Sequence, residues 1–202
     1  EGGAVAETIQ GHTFATLPVL KFGTDAQKER LLPKMVAGES VGAMLLTEPG
    51  AGSSPTELGT VAEATDDGYR ISGEKSFGTN AGVADVHLLV ARKRPQPDDS
   101  HGVSVFLVPN PDDVEGFTFE RGGYLGMHGH VTGDSRFDEV AVGADALLGS
   151  IGQGFRIAMG TIDMARTGLG AIGCGIGRAA FAEAVDYAGD REQGGKPVGE
   201  YQ

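Results

Sequence analysis

The chain has 202 residues, 40% of them hydrophobic and 22% charged, the balance of an ordinary globular protein, and a formal net charge of −12. So acidic a surface repels phosphate backbones, and the densest basic run, Arg92-Lys93-Arg94, is followed by Asp98-Asp99, which argues against a nucleic-acid partner. No run approaches the roughly 18–20 unbroken apolar residues of a membrane span, and the single Cys174 excludes an internal disulfide or a cysteine-based metal site.

A reducing compartment, cytoplasm or organelle matrix, is the expected location, although a chain that begins at Glu1 carries no readable targeting signal. The 34 glycines are more than double the usual share of about 7%.

In chain order, residues 1–38 read as helical. Thr24-Asp25-Ala26-Gln27 has the capping-box pattern, Leu31, Leu32, Met35 and Val36 are expected on one face, Pro33 should kink the helix, and Gly38 should stop it. Residues 40–148 read as β-rich. Val41–Leu46 is a short apolar run ended by Pro and Gly, and Asp66-Asp67-Gly68 is a hairpin turn between 60–65 and 69–76. Further strands are expected at 86–92, 103–109, 117–121 and 135–142. Many short strands without intervening helices predict an antiparallel sandwich or barrel, and disfavour a parallel doubly wound sheet. From about Gly152 to Asp190 the pattern predicts one long helix. Phe155, Ile157, Met159, Ile162, Met164, Leu169, Ile172, Ile176, Phe181 and Val185 surround most of its circumference, so it needs partners on several sides. The class is α+β, divided as 1–38, 39–150 and 151–202.

Two segments suit a ligand. In Leu46-Thr47-Glu48-Pro49-Gly50-Ala51-Gly52-Ser53-Ser54, an apolar strand enters a turn rich in small residues and hydroxyls, where successive N–H groups can face an anion or a polar ring edge. In Gly73–Asn80, a strand ends with Phe77 two residues before the Thr79 hydroxyl, so one planar ligand could meet both. Taken singly, each reads first as an ordinary turn beside a core strand. Three other matches lack their structural context. Gly38-Glu39-Ser40-Val41-Gly42 follows a helix instead of a strand. Gly173-Cys174-Gly175-Ile176-Gly177 lies inside a helix. His128-Gly129-His130 has no third ligand in view.

The runs TEPGAGSS (47–54), KSFGTN (75–80), LGMHGHVTGDSRFDEV (125–140), DMARTG (163–168) and REQGGKPVGEYQ (191–202), in this order and spacing, resemble the acyl-CoA dehydrogenase family over essentially the whole chain. The resemblance implies a helical N-terminal segment, a β-barrel-like middle domain and part of a C-terminal helical bundle, assembled as a homodimer or homotetramer, with further chain expected on both sides. It implies FAD as cofactor, an acyl-CoA or acyl-carrier thioester as substrate, and electron-transfer flavoprotein as a possible acceptor. Met44, Leu46, Thr47, Gly52, Ser53, Phe77, Gly78 and Thr79 would line the flavin, with Ser53 also near the thioester arm and Thr79 near the reactive N5 edge. Asp163 and Arg166 would meet the CoA nucleotide, although at i, i+3 they could simply pair with each other. Arg191, Gln193 and Gln202 would reach the flavin of a neighbouring subunit. Phe77 stands where the family usually has Trp, Gly194 where Phe is common, and His128 where Arg is common.

The family reaction takes the α-proton of the thioester with a carboxylate and passes the β-hydrogen to the flavin as hydride. Most members carry that carboxylate on a later helix, and some on the long helix, at the position held here by Ala165. The base is therefore expected beyond Gln202, and the 202 residues alone are expected to be inactive. An oxidase, a flavin monooxygenase or a carrier-protein-thioester dehydrogenase would share the scaffold, as would a non-catalytic binding homologue.

Overall fold

The computed structural model describes residues 2–54, 57–94 and 102–201, so Gln202 and the Asp98-Asp99 pair lie outside the described residues. Two helices open the chain, α1 (Gly2–Phe22) and α2 (Asp25–Ala37). The capping box forms: the Thr24 hydroxyl accepts from the Gln27 N–H at 3.2 Å and the Gln27 amide oxygen accepts from the Thr24 N–H at 2.9 Å. Gly38 ends α2 at φ 75°, a left-handed position that glycine adopts without Cβ strain.

Two expectations for α2 need correction. The helix runs through Pro33 without a break, because Pro33 and Glu29, whose carbonyl loses its N–H partner, both face solvent. Val36 is 78% exposed, while Met35 is buried and Leu31 and Leu32 pack partly against the core. A single helix presents only one stripe inward, and Val36 falls beside it.

Eight strands then form one sheet: β1 (Gly42–Leu45), β2 (Val61–Ala64), β3 (Gly68–Thr79), β4 (Val86–Arg94), β5 (Val103–Pro109), β6 (Phe117–Arg121), β7 (Thr132–Gly143) and β8 (Leu147–Leu148). Their order is β6-β7-β3-β2-β4-β5-β8, with β1 also on β4. Five pairings are antiparallel, as expected of the sheet as a whole, but β1 and β2 both pair parallel with β4. The cause is geometric. Gly42–Leu45 lies along Val86–Leu89 and Val61–Glu63 along Arg92–Arg94, so the two short strands follow one another on the same edge of β4. Residues 46–60 are an excursion between them.

β4 and β5 are buried on both faces. Leu88, Val90, Val103, Val105 and Leu107 meet Ala15 and Val19 of α1, Met35 of α2 and Ile157 of the final helix. Leu89, Ala91, Phe106 and Val108 point the other way, onto Ile71, Phe117, Phe137 and Val140 of the curled remainder of the sheet. The alternation puts one apolar layer under the helices and a second inside the sheet's own curl.

The final helix, α3 (Gly154–Asp190), has 37 residues and spans roughly 55 Å. Its buried positions are confined to its first third: Gly154, Ile157, Ala158, Thr161 and Ala165. A small hairpin follows, β9 (Glu192–Gln193) with β10 (Lys196–Pro197).

Candidate functional site

The excursion after β1 is built around a buried ion pair. Lys75 Nζ lies 2.7 Å from Glu48 Oε1, with side-chain exposures of 0% and 7%, and also donates to the Leu46 carbonyl at 3.0 Å. The Thr60 N–H donates to Glu48 Oε1 at 3.0 Å, and the Gly59 N–H donates to Oε2. Glu48 and Ala51 exchange backbone hydrogen bonds at 3.1 Å in both directions, closing the Pro49-Gly50 turn. One carboxylate therefore fixes the start of the excursion, its end and β3 together. Burial alone would raise the Glu48 carboxyl, but the Lys75 ammonium and the Thr60 and Gly59 hydrogen bonds hold it below its ordinary value. Burial pushes Lys75 down to about 8, against the opposing pull of Glu48. Sequence reasoning assigned neither residue a role. The available signal was opposite charge inside two otherwise apolar, glycine-rich motifs.

β3 carries the second half of the site. Its pairing with β7 slips between Lys75/Ser135 and Gly78/Gly133, so β3 holds one extra residue there. A bulge of this kind re-aims a side chain, and Phe77 sits in it at φ 59° with 63% exposure. A non-glycine residue in the left-handed region is strained, and such strain gathers at binding sites. The Ser76 N–H donates to the Thr47 carbonyl at 2.8 Å, and the Phe77 N–H to Asp134 Oδ1 at 3.3 Å. The bulge is thereby stitched to the excursion on one side and to β7 on the other.

Between these parts lies a cavity of about 180 Å³. Met44, Leu46 and Thr47 line it from β1 and its continuation, and Ser76, Phe77 and Thr79 from β3. Gly11 and Phe14 of α1 and Ile162 of α3 close it. A Cβ on Gly11 would come within 2.6 Å of Thr79 Cγ2, so glycine is what lets α1 lie so near β3. The walls are mostly apolar, with one exposed aromatic ring. The Thr47 and Thr79 hydroxyls have no hydrogen-bond partner among the described residues. Such a chamber suits a flat ligand with an apolar body and a polar edge.

Of the residues singled out from sequence, Met44, Leu46, Thr47, Phe77 and Thr79 are brought together in this cavity. Gly78 faces away: it is buried, and a Cβ there would meet Leu45 Cδ2 at 2.6 Å. Gly52 and Ser53 are exposed on the turn and do not line the cavity. Asp163 and Arg166 pair with each other at 3.6 Å on the exposed side of α3, Arg166 one turn after Ile162. Ala165 is buried, and its carbonyl accepts from Gln10 Nε2 at 3.2 Å. Arg191 and Gln193 are exposed beyond the end of α3, about eight turns from Ile162, so the long helix holds them away from this cavity within one chain. Gly194 and Gly195, at φ 58° and 83°, make the tight β9–β10 turn. The Tyr201 hydroxyl donates to the Gln193 carbonyl at 2.8 Å and would have to shift for a Cβ at Gly194, whose φ of 58° also disfavours a Phe there.

Three family models match the chain in succession: acyl-CoA dehydrogenase N-terminal domain over residues 1–39, middle domain over 43–140 and C-terminal domain over 152–202. A short-chain-specific acyl-CoA dehydrogenase of Megasphaera elsdenii is 40% identical over 187 residues, 92% of this chain and 48% of that protein. The solved structure of butyryl-CoA dehydrogenase from Megasphaera elsdenii superposes with a TM-score of 0.88 at 38% identity, over 99% of this chain and 52% of that one. A glutaryl-CoA dehydrogenase from Mycobacterium smegmatis, solved in complex with FADH2, gives 0.81 at 29% identity, over 93% and 46%. The chain thus spans about half the length of the relatives it matches. Through all three of its segments, the chain belongs to the acyl-CoA dehydrogenase family.

Proposed function

We propose that this chain is the flavin- and thioester-holding part of an FAD-dependent acyl-CoA dehydrogenase. The observation that carries the reading is the convergence of Met44, Leu46 and Thr47 with Phe77 and Thr79 on one mostly apolar cavity. The residues fit a flavin: the bulged Phe77 ring and Leu46 offer a flat apolar backing, and the unpartnered Thr47 and Thr79 hydroxyls offer hydrogen bonds to a polar ring edge. When bound, the flavin supplies the hydride acceptor.

The chain's own residues would then act as follows. Phe14, Met44 and Ile162 keep water from the reacting carbons. Glu48 and Lys75 hold the excursion that carries Thr47. Arg166, exposed one turn from Ile162, is free to exchange Asp163 for a phosphate of the CoA nucleotide, a task its planar fork suits. Ser53, on the outer turn, would meet the thioester arm. Arg191 and Gln193 would act on the flavin of a second subunit, which makes the working form a homo-oligomer. No carboxylate lines the cavity among the described residues, and the Ala165 methyl cannot take a proton. On this reading the base is a carboxylate from outside the described cavity lining.

The test is the full-length protein. It should purify yellow or take up added FAD, and a series of saturated acyl-CoA thioesters should bleach the bound flavin without oxygen. A colourless protein that refuses FAD would sink the proposal. Reoxidation by oxygen within seconds would replace the dehydrogenase by an oxidase or monooxygenase.

A further inference from the structure

We propose that Tyr124 is a positioning residue that fixes the Phe77 ring and extends the aromatic wall of the cavity; the inference rests on reading that cavity as a flavin site. Phe77 needs such a partner, because its bulged backbone turns the ring out and leaves 63% of the residue exposed. The Tyr124 ring stands against it, centroids 5.8 Å apart and planes inclined at 45°, within the range of attractive aromatic pairs.

The loop that carries Tyr124 is shaped to hold it. Any Cβ on Gly122 would overlap the Tyr124 ring, so the ring lies over bare backbone. The His128 imidazole, with its proton on Nε2, donates to the Tyr124 carbonyl at 2.9 Å. Arg121 in turn donates to the His128 carbonyl at 2.9 Å and more weakly to that of His130 at 3.4 Å. The Asp134 carboxylate accepts the Phe77 backbone N–H at 3.3 Å. Burial first, and that same carboxylate second, push the Tyr124 phenol above its ordinary value.

The place of the pair gives it a role. Tyr124 and Thr132 line a second cavity of about 230 Å³. Thr132 is the ladder partner of Thr79, which lines the first. The two rings therefore stand where the cavities adjoin, and the Tyr124 loop sets how far Phe77 can swing away from a planar ligand.

In the full-length protein, FAD affinity by fluorescence titration and the visible spectrum of the bound flavin would be compared for four variants. Tyr124→Ala and Tyr124→Leu are expected to weaken FAD binding about fivefold and to shift the flavin bands, whereas Tyr124→Phe stays within twofold with the original spectrum. Adding Phe77→Trp to Tyr124→Ala should recover at least half of the loss, since the larger ring refills the space. Tyr124→Ala and Tyr124→Leu that match wild type in both readouts would overturn the inference, as would Tyr124→Phe as damaging as Tyr124→Ala. A wild type that binds FAD beside indifferent variants removes only this inference; a wild type that binds none removes the functional reading with it.

Discussion

Lys75 has no exposed side-chain surface and still carries an ammonium, which is tolerable only because Glu48 and the Leu46 carbonyl surround it. Taking one partner away leaves the other charge buried. Glu48→Gln is therefore expected to cost about 3–5 kcal/mol of stability, read as a lower denaturation midpoint, and to weaken FAD binding because Thr47 loses its anchor. A variant as stable as wild type would show that the pair is not the tie described here. The pH dependence has a defined sign. Between pH about 8 and 10.5 the unfolded Lys75 keeps a proton that the folded one has lost, so this group makes stability rise with pH across that window. Glu48 acts on the acid side: its contribution is complete above 4.5 and fades as pH falls through its lowered folded value. Urea unfolding of wild type and Lys75→Met from pH 8 to 10.5 should show wild type gaining on the variant, and a flat difference would contradict the burial argument. At this scale the sequence exposed half of the site. Thr47, Phe77 and Thr79 were legible because their two short motifs stand in the order and spacing of a family pattern, although each motif alone reads as an ordinary turn. The ion pair between them was not, since nothing local says that Glu48 and Lys75 face each other.

The elements are joined by side chains with more than one task. Gln27 completes the capping box of α2, and its amide Nε2 also donates to the Asp145 and Leu147 carbonyls at 2.7 and 3.0 Å. It is buried, so those two carbonyls would lose their only described side-chain donor. Thr24→Ala should cost about 1 kcal/mol, the usual effect of losing an N-cap hydroxyl. Gln27→Ala should cost about twice as much, because cap and inter-element bonds go together. Equal losses in thermal unfolding would reduce Gln27 to a cap alone. The cap was plain in the sequence because its four residues are contiguous. Its reach to β8 was not, and neither were the parallel pairings of β1 and β2, because strand direction is decided by where residues 46–60 leave and rejoin β4. The long helix was legible for the opposite reason: its apolar residues recur over ten turns.

On the scale of the whole molecule, α3 is the unfinished element. Ile176, Phe181, Val185 and Tyr187 are all substantially exposed, Phe181 by 71%, although the helix holds no buried residue after Ala165. An apolar helix face of this extent is covered in a stable protein, by further chain or by a second copy. The 202 residues prepared alone should therefore fold around the sheet and first third of α3, where both apolar layers are closed, yet self-associate through the remainder of the helix. Sedimentation velocity at about 10 µM should show dimers or larger species, and Ile176→Lys, Phe181→Lys and Val185→Lys together should return a monomer with unchanged sheet signal in circular dichroism. None of the three positions belongs to either buried cluster, although Ile176 also lies beside Gly3 of α1. A monomeric wild-type chain would mean that the exposed apolar side chains of the last two thirds of α3 do not drive association.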